Sequence, residues 1–307
     1  MTTEMIAGLF PGQGSQAVGM GQALCERESI VRETFAEADA TLGFPLSTIC
    51  FSGPAEELKR TSIAQPALVT MSTAYWRLLV SRGCSCEVAA GHSLGEYSAL
   101  VAASALDFAV AVQLVHLRGT LMEEAAAAQP GGMAAIIGMP APEVLALCAR
   151  ITAEYGPLAP ANYNAPDQIV VSGTASAITA VRTAVKEYGA RAIPLAVSGP
   201  FHSPLMQSAA DAFAIILQQT PIAPPRIPII PNVLATPTTD PAVIRDALAH
   251  QISGSVRWAE TMLAMHAMGI TQYLEIGPGN VLTGLAARTL TAPYAITVTD
   301  LLKAPTA

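Results

Sequence analysis

The sequence predicts an α/β protein with a mostly parallel sheet, and two features of the chain lead to this prediction. Short apolar runs that end in glycine-rich turns alternate with longer stretches rich in alanine and leucine, which is the order of strands and helices in such folds. Within residues 131–197 the order becomes β-α-β-β-α-β, which is typical of a ferredoxin-like unit. We therefore expect a larger domain of residues 1–130 and 198–307, with a ferredoxin-like subdomain of residues 131–197 inserted into it.

Composition and charge argue against several classes of function. The chain has 307 residues, of which 51% are hydrophobic and 13% are charged, and its net charge is −7. Because the basic residues form no cluster, we expect no nucleic-acid partner. No apolar run reaches the ~20 residues that a membrane span needs.

The start of the chain and its cysteines indicate the compartment. The first residues, 1–4, lack the basic start of a secretory signal, and the five cysteines are scattered, which favours reduced thiols over a disulfide framework. We therefore expect a soluble, cytoplasmic protein that makes no use of a membrane.

The first predicted strand, Met5 to Phe10, leads into a glycine-rich loop at residues 11–16. Gly12, Gly14 and Ala17 have the spacing of a dinucleotide-binding fingerprint, but a proline interrupts the join between strand and turn. The acidic residue expected about 20 positions later is also missing. We therefore predict no nicotinamide site, and we expect the loop to bring backbone N–H groups toward Ser93.

Residues 91–95 read Gly91-His92-Ser93-Leu94-Gly95, a G-x-S-x-G turn between a short apolar run and an alanine- and leucine-rich stretch. Such a turn lifts a serine hydroxyl out of the backbone between a strand and a helix. A serine placed there lies at a helix N-terminus, where free N–H groups favour developing negative charge. Ser93 is therefore the candidate nucleophile.

Two long helices are predicted around this turn. The pattern of residues 58–80 predicts a helix that is broken at Gln65-Pro66, and Asp107 is the predicted N-cap of a helix from Phe108 to about Ala127. In the second helix Arg118 falls on the apolar stripe. A buried guanidinium needs an anionic partner. From the sequence, this partner is either Glu123 or Glu124, or an anionic ligand.

A loop bracketed by prolines, residues 198–204, supplies the candidate base. Ser203 is the predicted N-cap of a helix that runs to about Gln219, so that His202 would lie at a helix N-terminus. The positive end of the helix dipole lowers the pKa of an imidazole, which keeps the ring neutral and able to accept a proton near neutral pH.

The remainder of the chain returns to the α/β pattern. Residues 221–231 contain several prolines and must be largely extended, as a bridge or edge segment. Helices are predicted at 241–251 and 258–268, and a short strand at 273–276 ends in another glycine-rich turn.

Motifs distributed along nearly the whole chain resemble those of the malonyl-CoA:acyl carrier protein transacylases. The motifs are Phe10-Pro11-Gly12-Gln13-Gly14-Ser15-Gln16, Gly91-His92-Ser93-Leu94-Gly95-Glu96, Arg118, Asn162-Tyr163-Asn164, Gly199-Pro200-Phe201-His202-Ser203, Gln251 through Trp258, and Glu275-Ile276-Gly277-Pro278-Gly279-Asn280. The resemblance implies an α/β-hydrolase-like core with an inserted ferredoxin-like subdomain, which agrees with the pattern of strands and helices described above.

The resemblance also implies a role for each matching residue. Ser93 would be the acylated nucleophile and His202 its general base. The backbone N–H groups of Gln13 and Leu94 would form the oxyanion hole, and Arg118 would pair with the malonyl carboxylate. Further expected site residues are Asn162, His92 and Phe201 in the substrate pocket, and Gln251, whose backbone carbonyl would orient the histidine in place of a triad aspartate.

The activity implied is ping-pong transfer of a malonyl group from malonyl-CoA to the phosphopantetheine thiol of acyl carrier protein, for fatty acid biosynthesis. We expect no metal or redox cofactor, a monomer, and docking of the acidic carrier protein on Arg182, Lys186 and Arg191. The alternatives are a stand-alone malonyltransferase that serves a polyketide synthase, a serine hydrolase or thioesterase, and a non-catalytic carrier-binding protein.

Overall fold

The structure is a computed structural model that describes residues 5–303. Residues 1–4, whose composition predicts no secretory signal, and residues 304–307 lie outside the described part. Within residues 5–303, no helix combines the length and the apolar character needed to cross a membrane.

The described residues form a mixed α/β fold. In chain order the strands are β1 (Ile6–Phe10), β2 (Val88–Gly91), β3 (Gly131–Ile137), β4 (Leu158–Ala165), β5 (Gln168–Thr174), β6 (Arg191–Pro194), β7 (Gln272–Glu275) and β8 (Tyr294–Thr297). The α-helices are α1 (Gln22–Arg27), α2 (Ser29–Leu42), α3 (Leu46–Ser52), α4 (Ala55–Lys59), α5 (Thr61–Ser81), α6 (Gly95–Ala102), α7 (Phe108–Ala128), α8 (Ala141–Tyr155), α9 (Ala175–Ala184), α10 (Gln207–Gln219), α11 (Pro241–Gln251), α12 (Trp258–Ala267), α13 (Val281–Thr289) and α14 (Val298–Lys303).

A parallel sheet with the strand order β2-β1-β7-β8 forms the centre of the larger part of the fold. The proline-rich stretch predicted to be extended lies beside its outer edge, where Ile229 forms a parallel bridge with Ala89. The carboxyl ends of β1, β2 and β7 meet at one side of the sheet. In open parallel sheets this side is where ligands bind.

The second sheet is antiparallel and has the strand order β4-β5-β3-β6. Strand β3 presents two different faces because successive side chains alternate. Ala134 and Ile136 belong to a separate hydrophobic core shared with α8 and α9, whereas Met133 and Ala135 belong to the large core on the other side. The sheet therefore separates a small core of its own from the main body of the protein.

Helix α5 runs without interruption through Pro66, so the predicted break at Gln65-Pro66 is wrong. A proline inside a helix leaves the carbonyl four residues earlier without its N–H donor. Here that carbonyl belongs to Ser62, and it lies 2.7 Å from Nδ1 of His116 on the neighbouring helix α7. A side chain from outside the helix thus replaces the missing backbone donor, which a pattern within α5 alone cannot reveal.

Helices α5 and α7 cross in close contact at Gly119. A Cβ atom at this position would lie 2.6 Å from the carbonyl oxygen of Thr61 and 2.7 Å from Cα of Ser62. Because both neighbours are backbone atoms, the contact cannot be relieved by a rotamer change. Gly119 therefore fixes the separation of the two helices that carry Gln65 and Arg118.

We expect Gly119→Ala to lower the free energy of unfolding by about 1–3 kcal/mol, the usual cost of overpacking a core. Gly284 gives a matched control, since it lies within helix α13 and no atom approaches its Cβ position within 4 Å. Gly284→Ala should raise the free energy of unfolding by roughly 0.5–1 kcal/mol through helix propensity. Chemical denaturation of both variants measures the two changes in the free energy of unfolding. If both variants were stabilised, or both destabilised, the prediction would be contradicted.

Candidate active site

The turn after β2 can form only with glycine at both of its ends. A Cβ atom on Gly91 would lie 1.8 Å from the carbonyl carbon of Gly95, and one on Gly95 would lie 2.0 Å from the carbonyl oxygen of Phe10. Between them Ser93 has a φ of 50°, a left-handed backbone conformation that is costly for any residue with a Cβ atom. The G-x-S-x-G pattern thus reflects a strained backbone that presents the Ser93 hydroxyl at the carboxyl end of the strand.

His202 lies directly against this hydroxyl. Its Nε2 is 2.7 Å from Oγ of Ser93, and its Nδ1 is 2.9 Å from the carbonyl oxygen of Gln251 and 3.1 Å from that of Gly254. Carbonyl oxygens only accept hydrogen bonds, so Nδ1 carries the proton and Nε2 presents its lone pair to the serine. Two backbone carbonyls therefore do the orienting that a carboxylate does in a Ser-His-Asp triad.

Burial keeps the His202 ring neutral. The side chain is only 5% exposed, and burial, together with the nearby positive charge of Arg118, lowers the pKa of His202 to about 3. The hydrogen bonds to the two carbonyls act in the opposite direction but are weaker. At neutral pH the imidazole is thus a base ready to accept the serine proton.

His202 lies just before a helical segment, as predicted, but Ser203 does not cap that segment through its side chain. Residues Pro204–Met206 form a short 3-10 turn before α10, and Ser203 caps no N–H group; its Oγ donates to the carbonyl oxygen of Pro200 at 2.6 Å. His202 itself has a positive φ of 57°. Burial and the charge of Arg118 are the two largest causes of the lowered pKa of His202.

Arg118 is buried beside the nucleophile among neutral partners. Its Nη1 donates to Oε1 of Gln65 at 2.9 Å, and its Nη2 donates to Oε1 of Gln251 at 3.0 Å and to Oγ of Ser93 at 3.3 Å. Its Nε has no partner within the described part of the chain. The guanidinium is 1% exposed, packs over the ring of Tyr97 at 5.6 Å and lies next to the reactive hydroxyl.

Neither glutamate considered from the sequence neutralises Arg118. The carboxylate of Glu123 accepts hydrogen bonds from N and Oγ of Ser62, each at 3.0 Å, and lies 3.7 Å from Arg60. In residues 5–303 no carboxylate oxygen lies within 4.0 Å of the Arg118 guanidinium. The buried Glu96 acts on Arg118 only from beyond this distance, so a direct ion pair at this guanidinium is left to an anionic ligand.

These groups open into one cavity of about 290 Å³ between the two sheets. Its lining combines the loops at the carboxyl ends of β1 and β2 with one face of the antiparallel sheet. The lining residues are Pro11, Gly12, Gln13, Gly14, Ser15, His92, Ser93, Leu94, Arg118, Met122, Met133, Ala135, Asn162, Asn164, Gln168, Val170, Leu195, Val197, Phe201, His202, Val281, Leu282 and Leu285.

The structure brings the other predicted site residues to this cavity or next to it. Gln13, Leu94, Asn162, His92 and Phe201 all line it. Within the described residues, the backbone N–H groups of Gln13 and Leu94 donate to no protein acceptor. Both are thus available to a ligand oxygen near Ser93.

Gln251 does more than the sequence predicts, since its side chain also takes part in the site. Besides the carbonyl that orients His202, its Nε2 donates to the carbonyl oxygen of Ser93 at 3.1 Å and to Oε2 of Glu96 at 2.8 Å. Gln251 is fully buried. Its position at the end of α11 therefore couples the base to the nucleophile turn.

Sequence reasoning did not identify the polar residues that hold the nucleophile turn from behind. Oδ1 of Asn232 accepts the N–H of Ser93 at 2.6 Å, and its Nδ2 donates to the carbonyl oxygen of Gly91 at 2.6 Å. Oδ1 of Asn164 lies 2.8 Å from Nε2 of His92. Asn232 follows the proline-rich extended segment, and no local pattern marks it.

The arrangement contains the parts needed for acyl transfer through a serine. A neutral imidazole contacts the hydroxyl, two residues with unpaired backbone N–H groups line the same cavity, and a buried cation lies within hydrogen-bond distance of the nucleophile. Among residues 5–303, no group of three or more histidine, cysteine, aspartate or glutamate side chains is placed to hold a metal ion.

Comparisons with a family model, with related proteins and with solved structures agree with one another. The family model described as the acyl transferase domain matches residues 9–303. The chain is 46% identical over 296 residues to the malonyl CoA-acyl carrier protein transacylase of Bacillus subtilis (strain 168), covering 96% of this chain and 93% of that protein.

Two solved structures are similar to the fold throughout. An acyl carrier protein S-malonyltransferase from Vibrio cholerae has a TM-score of 0.93 and 43% identity, and the match covers 98% of this chain and 100% of that one. A malonyl-transacylase solved in complex with its type II polyketide synthase acyl carrier protein has a TM-score of 0.92 and 41% identity, and 96% of each chain is covered.

The low pKa of His202 predicts a pH dependence of stability. Because the folded value of about 3 lies below the ordinary 6.5, the stabilisation is complete above pH 6.5 and is lost as the pH falls toward 3. Relative to His202→Gln, the wild type should lose free energy of unfolding over this window at up to about 1.4 kcal/mol per pH unit, the limit for one proton. Urea denaturation at several pH values measures the difference.

Thr261→Val provides the control for this measurement, since it alters a fully buried residue that carries no ionisable group. Its effect on the free energy of unfolding should be the same at every pH. Parallel stability curves for wild type and His202→Gln would contradict the assignment of a neutral, buried His202.

Proposed function

Since the chain belongs to the acyl transferase domain family and, within it, to the malonyl-CoA:acyl carrier protein transacylases, we propose that it transfers a malonyl group from malonyl-CoA to the phosphopantetheine thiol of an acyl carrier protein. The observation that carries this proposal is the position of Arg118, whose Nη2 lies 3.3 Å from Oγ of Ser93. A carboxylate joined by a short link to the acyl carbon on Ser93 falls within reach of this guanidinium.

The first half of the reaction acylates Ser93. His202 Nε2 accepts the hydroxyl proton as Oγ attacks the thioester carbonyl, and general-base help of this kind contributes about 10²–10⁴-fold. The tetrahedral intermediate then expels the coenzyme A thiolate, which takes the proton from the imidazolium. The second half runs in reverse: the carrier thiol gives its proton to His202, attacks the malonyl-serine, and leaves with the malonyl group while Oγ recovers its proton.

The N–H groups of Gln13 and Leu94 stabilise the oxyanion in both halves. Both residues line the cavity at the nucleophile, and neither N–H is used by a protein acceptor within residues 5–303. One such donor contributes about 10²–10³-fold to the rate. Gly12 allows the first loop to approach this closely, because a Cβ there would lie 2.5 Å from the carbonyl oxygen of His92.

Arg118 selects the acyl group. A planar guanidinium holds a carboxylate through two hydrogen bonds, and in a buried site such charged hydrogen bonds are strong. An acetyl group leaves the buried cation without an anionic partner, whereas a malonyl group supplies one. Phe201, His92 and Asn162 form the rest of the acyl pocket, and we assign to Phe201 the preference for an unbranched malonyl group.

The carrier protein docks, in our proposal, on basic residues of the antiparallel unit. Arg182, Lys186 and Arg191 are exposed and line one shallow groove. None of the three forms an ion pair with another described residue. They are therefore free to contact an acidic partner, although the whole chain carries a net charge of −7.

The same proposal covers the domain organisation and the setting of the enzyme. We interpret residues 1–130 and 198–307 as an α/β-hydrolase-like catalytic domain and residues 131–197 as a ferredoxin-like subdomain. We propose a cytoplasmic monomer, an environment in which its five unpaired cysteines stay reduced. The chemistry assigned to Ser93, His202 and the two N–H donors completes acyl transfer without a metal or redox cofactor.

Fatty acid biosynthesis is the pathway that we propose. A second candidate is supply of malonyl groups to a polyketide synthase, because one similar structure is a malonyl-transacylase in complex with a polyketide synthase carrier protein. The site described here serves either pathway, and the preferred carrier protein distinguishes them.

We expect a single malonyl adduct on the wild-type protein after brief incubation with malonyl-CoA, and none on Ser93→Ala. Intact-protein mass spectrometry measures the adduct, and the thiol of a phosphopantetheinylated carrier protein should remove it. Ser98→Ala, which alters a buried serine of α6 outside the cavity, is the matched control and should be acylated like the wild type. Steady release of free malonate without a carrier protein would instead indicate a hydrolase.

Arg118→Ala should lose malonyl selectivity while Ser93 remains reactive. Removing one partner of a buried charged hydrogen bond costs roughly 1.5–3 kcal/mol, so the ratio of malonyl to acetyl acylation rates should fall by about 10–150-fold. The control is Arg77→Ala, which removes a half-buried arginine that pairs with Glu37 at 2.7 Å outside the cavity. An unchanged ratio in Arg118→Ala would rule out the assigned role.

A further inference from the structure

Glu96 is a buried carboxyl group directly behind the nucleophile that the mechanism above does not use. It lies in the first turn of α6 and is 0% exposed. Its Oε2 accepts two hydrogen bonds, from the backbone N–H of Asn232 at 2.9 Å and from Nε2 of Gln251 at 2.8 Å, while its Oε1 has no partner within the described residues. No lysine, arginine or histidine nitrogen of the described part lies within 4.0 Å of it.

Two acceptors decide which way the Gln251 amide points: its Nε2 donates to Oε2 of Glu96 at 2.8 Å and to the carbonyl oxygen of Ser93 at 3.1 Å. A carboxyl oxygen that accepts requires the NH₂ end of the amide to face it, so the carbonyl end faces the opposite way. That carbonyl, Oε1, accepts from Nη2 of Arg118 at 3.0 Å. If the amide were reversed, its NH₂ group would meet the guanidinium donor to donor. Glu96, with the shorter of the two bonds to Nε2, thereby helps to hold an acceptor against the arginine without touching it.

The bond from Asn232 connects Glu96 to the nucleophile itself. The backbone N–H of Asn232 is held by Glu96, and the side chain of the same residue holds Ser93 N and Gly91 O, each at 2.6 Å. Loss of the Glu96 carboxyl would thus weaken the support of Ser93 as well. This second effect acts on every acyl group equally, because the serine is common to all of them.

We propose that Glu96 is a positioning residue for acyl-group selection: through the side chain of Gln251 it holds the Arg118 guanidinium in the direction needed to receive the carboxylate of a dicarboxylic acyl group. The inference rests on the proposed function, since it assumes that Arg118 binds such a carboxylate. It assigns to Glu96 a role in specificity separate from the support that it gives to Ser93.

The acceptor oxygen of Glu96, and not its charge, performs this role. Burial raises the pKa of Glu96 to about 7, and the hydrogen bonds from Asn232 and Gln251 and the charge of Arg118 oppose that rise. A protonated carboxyl still has a carbonyl oxygen that can accept both hydrogen bonds. Glutamine keeps such an oxygen at the same distance along the side chain, whereas leucine has none.

The experiment compares acylation of Ser93 by malonyl-CoA and by acetyl-CoA in wild type, Glu96→Leu and Glu96→Gln. Glu96→Leu should slow both reactions and, in addition, lower the ratio of malonyl to acetyl rates at least about tenfold, the loss expected for one hydrogen bond to a charged group. Glu96→Gln should restore most of that ratio. A thermal unfolding transition measured for each variant shows whether that variant is folded.

Two further variants separate positioning from general damage. Glu275 is another fully buried glutamate, whose carboxylate caps α13 by accepting from the N–H groups of Leu282 and Thr283. Glu275→Leu should lower stability and leave the ratio of malonyl to acetyl rates unchanged. In an Arg118→Ala background, Glu96→Leu should no longer change the ratio, because a residue that acts through Arg118 has no effect once Arg118 is gone.

The outcomes distinguish this inference from the function on which it rests. If the wild type forms no malonyl-serine, the proposed function fails. If the wild type is acylated by malonyl-CoA but folded Glu96→Leu slows malonyl and acetyl transfer in parallel, the function stands and the positioning role is overturned. A ratio that stays low in Glu96→Gln would show that the charge of Glu96, and not its acceptor oxygen, is what matters.

Discussion

The burial of the Arg118 charge, whose hydrogen-bond partners are all neutral, is the constraint on which the rest of this site depends. A cation removed from water is costly unless hydrogen bonds or an opposite charge compensate it. Here amide oxygens of Gln65 and Gln251 and the Ser93 hydroxyl provide partial compensation. Three separate parts of the chain must therefore converge on one guanidinium, and their convergence also places the serine and the histidine.

The same charge explains why the base works without a carboxylate. A positive neighbour and a buried position both disfavour a second positive charge, so His202 stays neutral. Its tautomer still has to be fixed, and backbone carbonyls of Gln251 and Gly254 are sufficient for this. A carboxylate at that point would raise the pKa of the imidazole and would also compete with the substrate for Arg118.

The sequence was informative where a function depends on local backbone geometry. The nucleophile turn, the glycine-rich loop after β1 and the arginine on an apolar stripe all leave a pattern within a few residues, and the helix N-cap Asp107 accepts from the N–H groups of Ala109 and Val110 as predicted. The sequence also showed that Arg118 needs a partner, because a charged side chain on the apolar face of a helix is buried on folding.

Features that depend on contacts between distant segments were not predictable in this way. Pro66 does not break its helix because His116, far along the chain, lies against the carbonyl that the proline leaves free. Asn232 and Gln251 have a role only in the folded protein, where their side chains hydrogen-bond to the backbone of Ser93. The partner of Glu123 is likewise a helix N-terminus on α5 and not the arginine one turn before it. In each case the relevant partner is remote in sequence, and composition around the residue gives no sign of it.

The two faces of strand β3 bear on how such an enzyme can change over time. Met133 and Ala135 form part of the wall of the cavity, whereas Ala134 and Ile136 are anchored in the small core beneath α8 and α9. The serine and the histidine belong to the other wall and are stabilised by a different set of residues. A change of side-chain size at Met133 or Ala135 can therefore alter the space left for an acyl group, while Arg118, His92 and Phe201 stay with the serine and the histidine on the opposite wall.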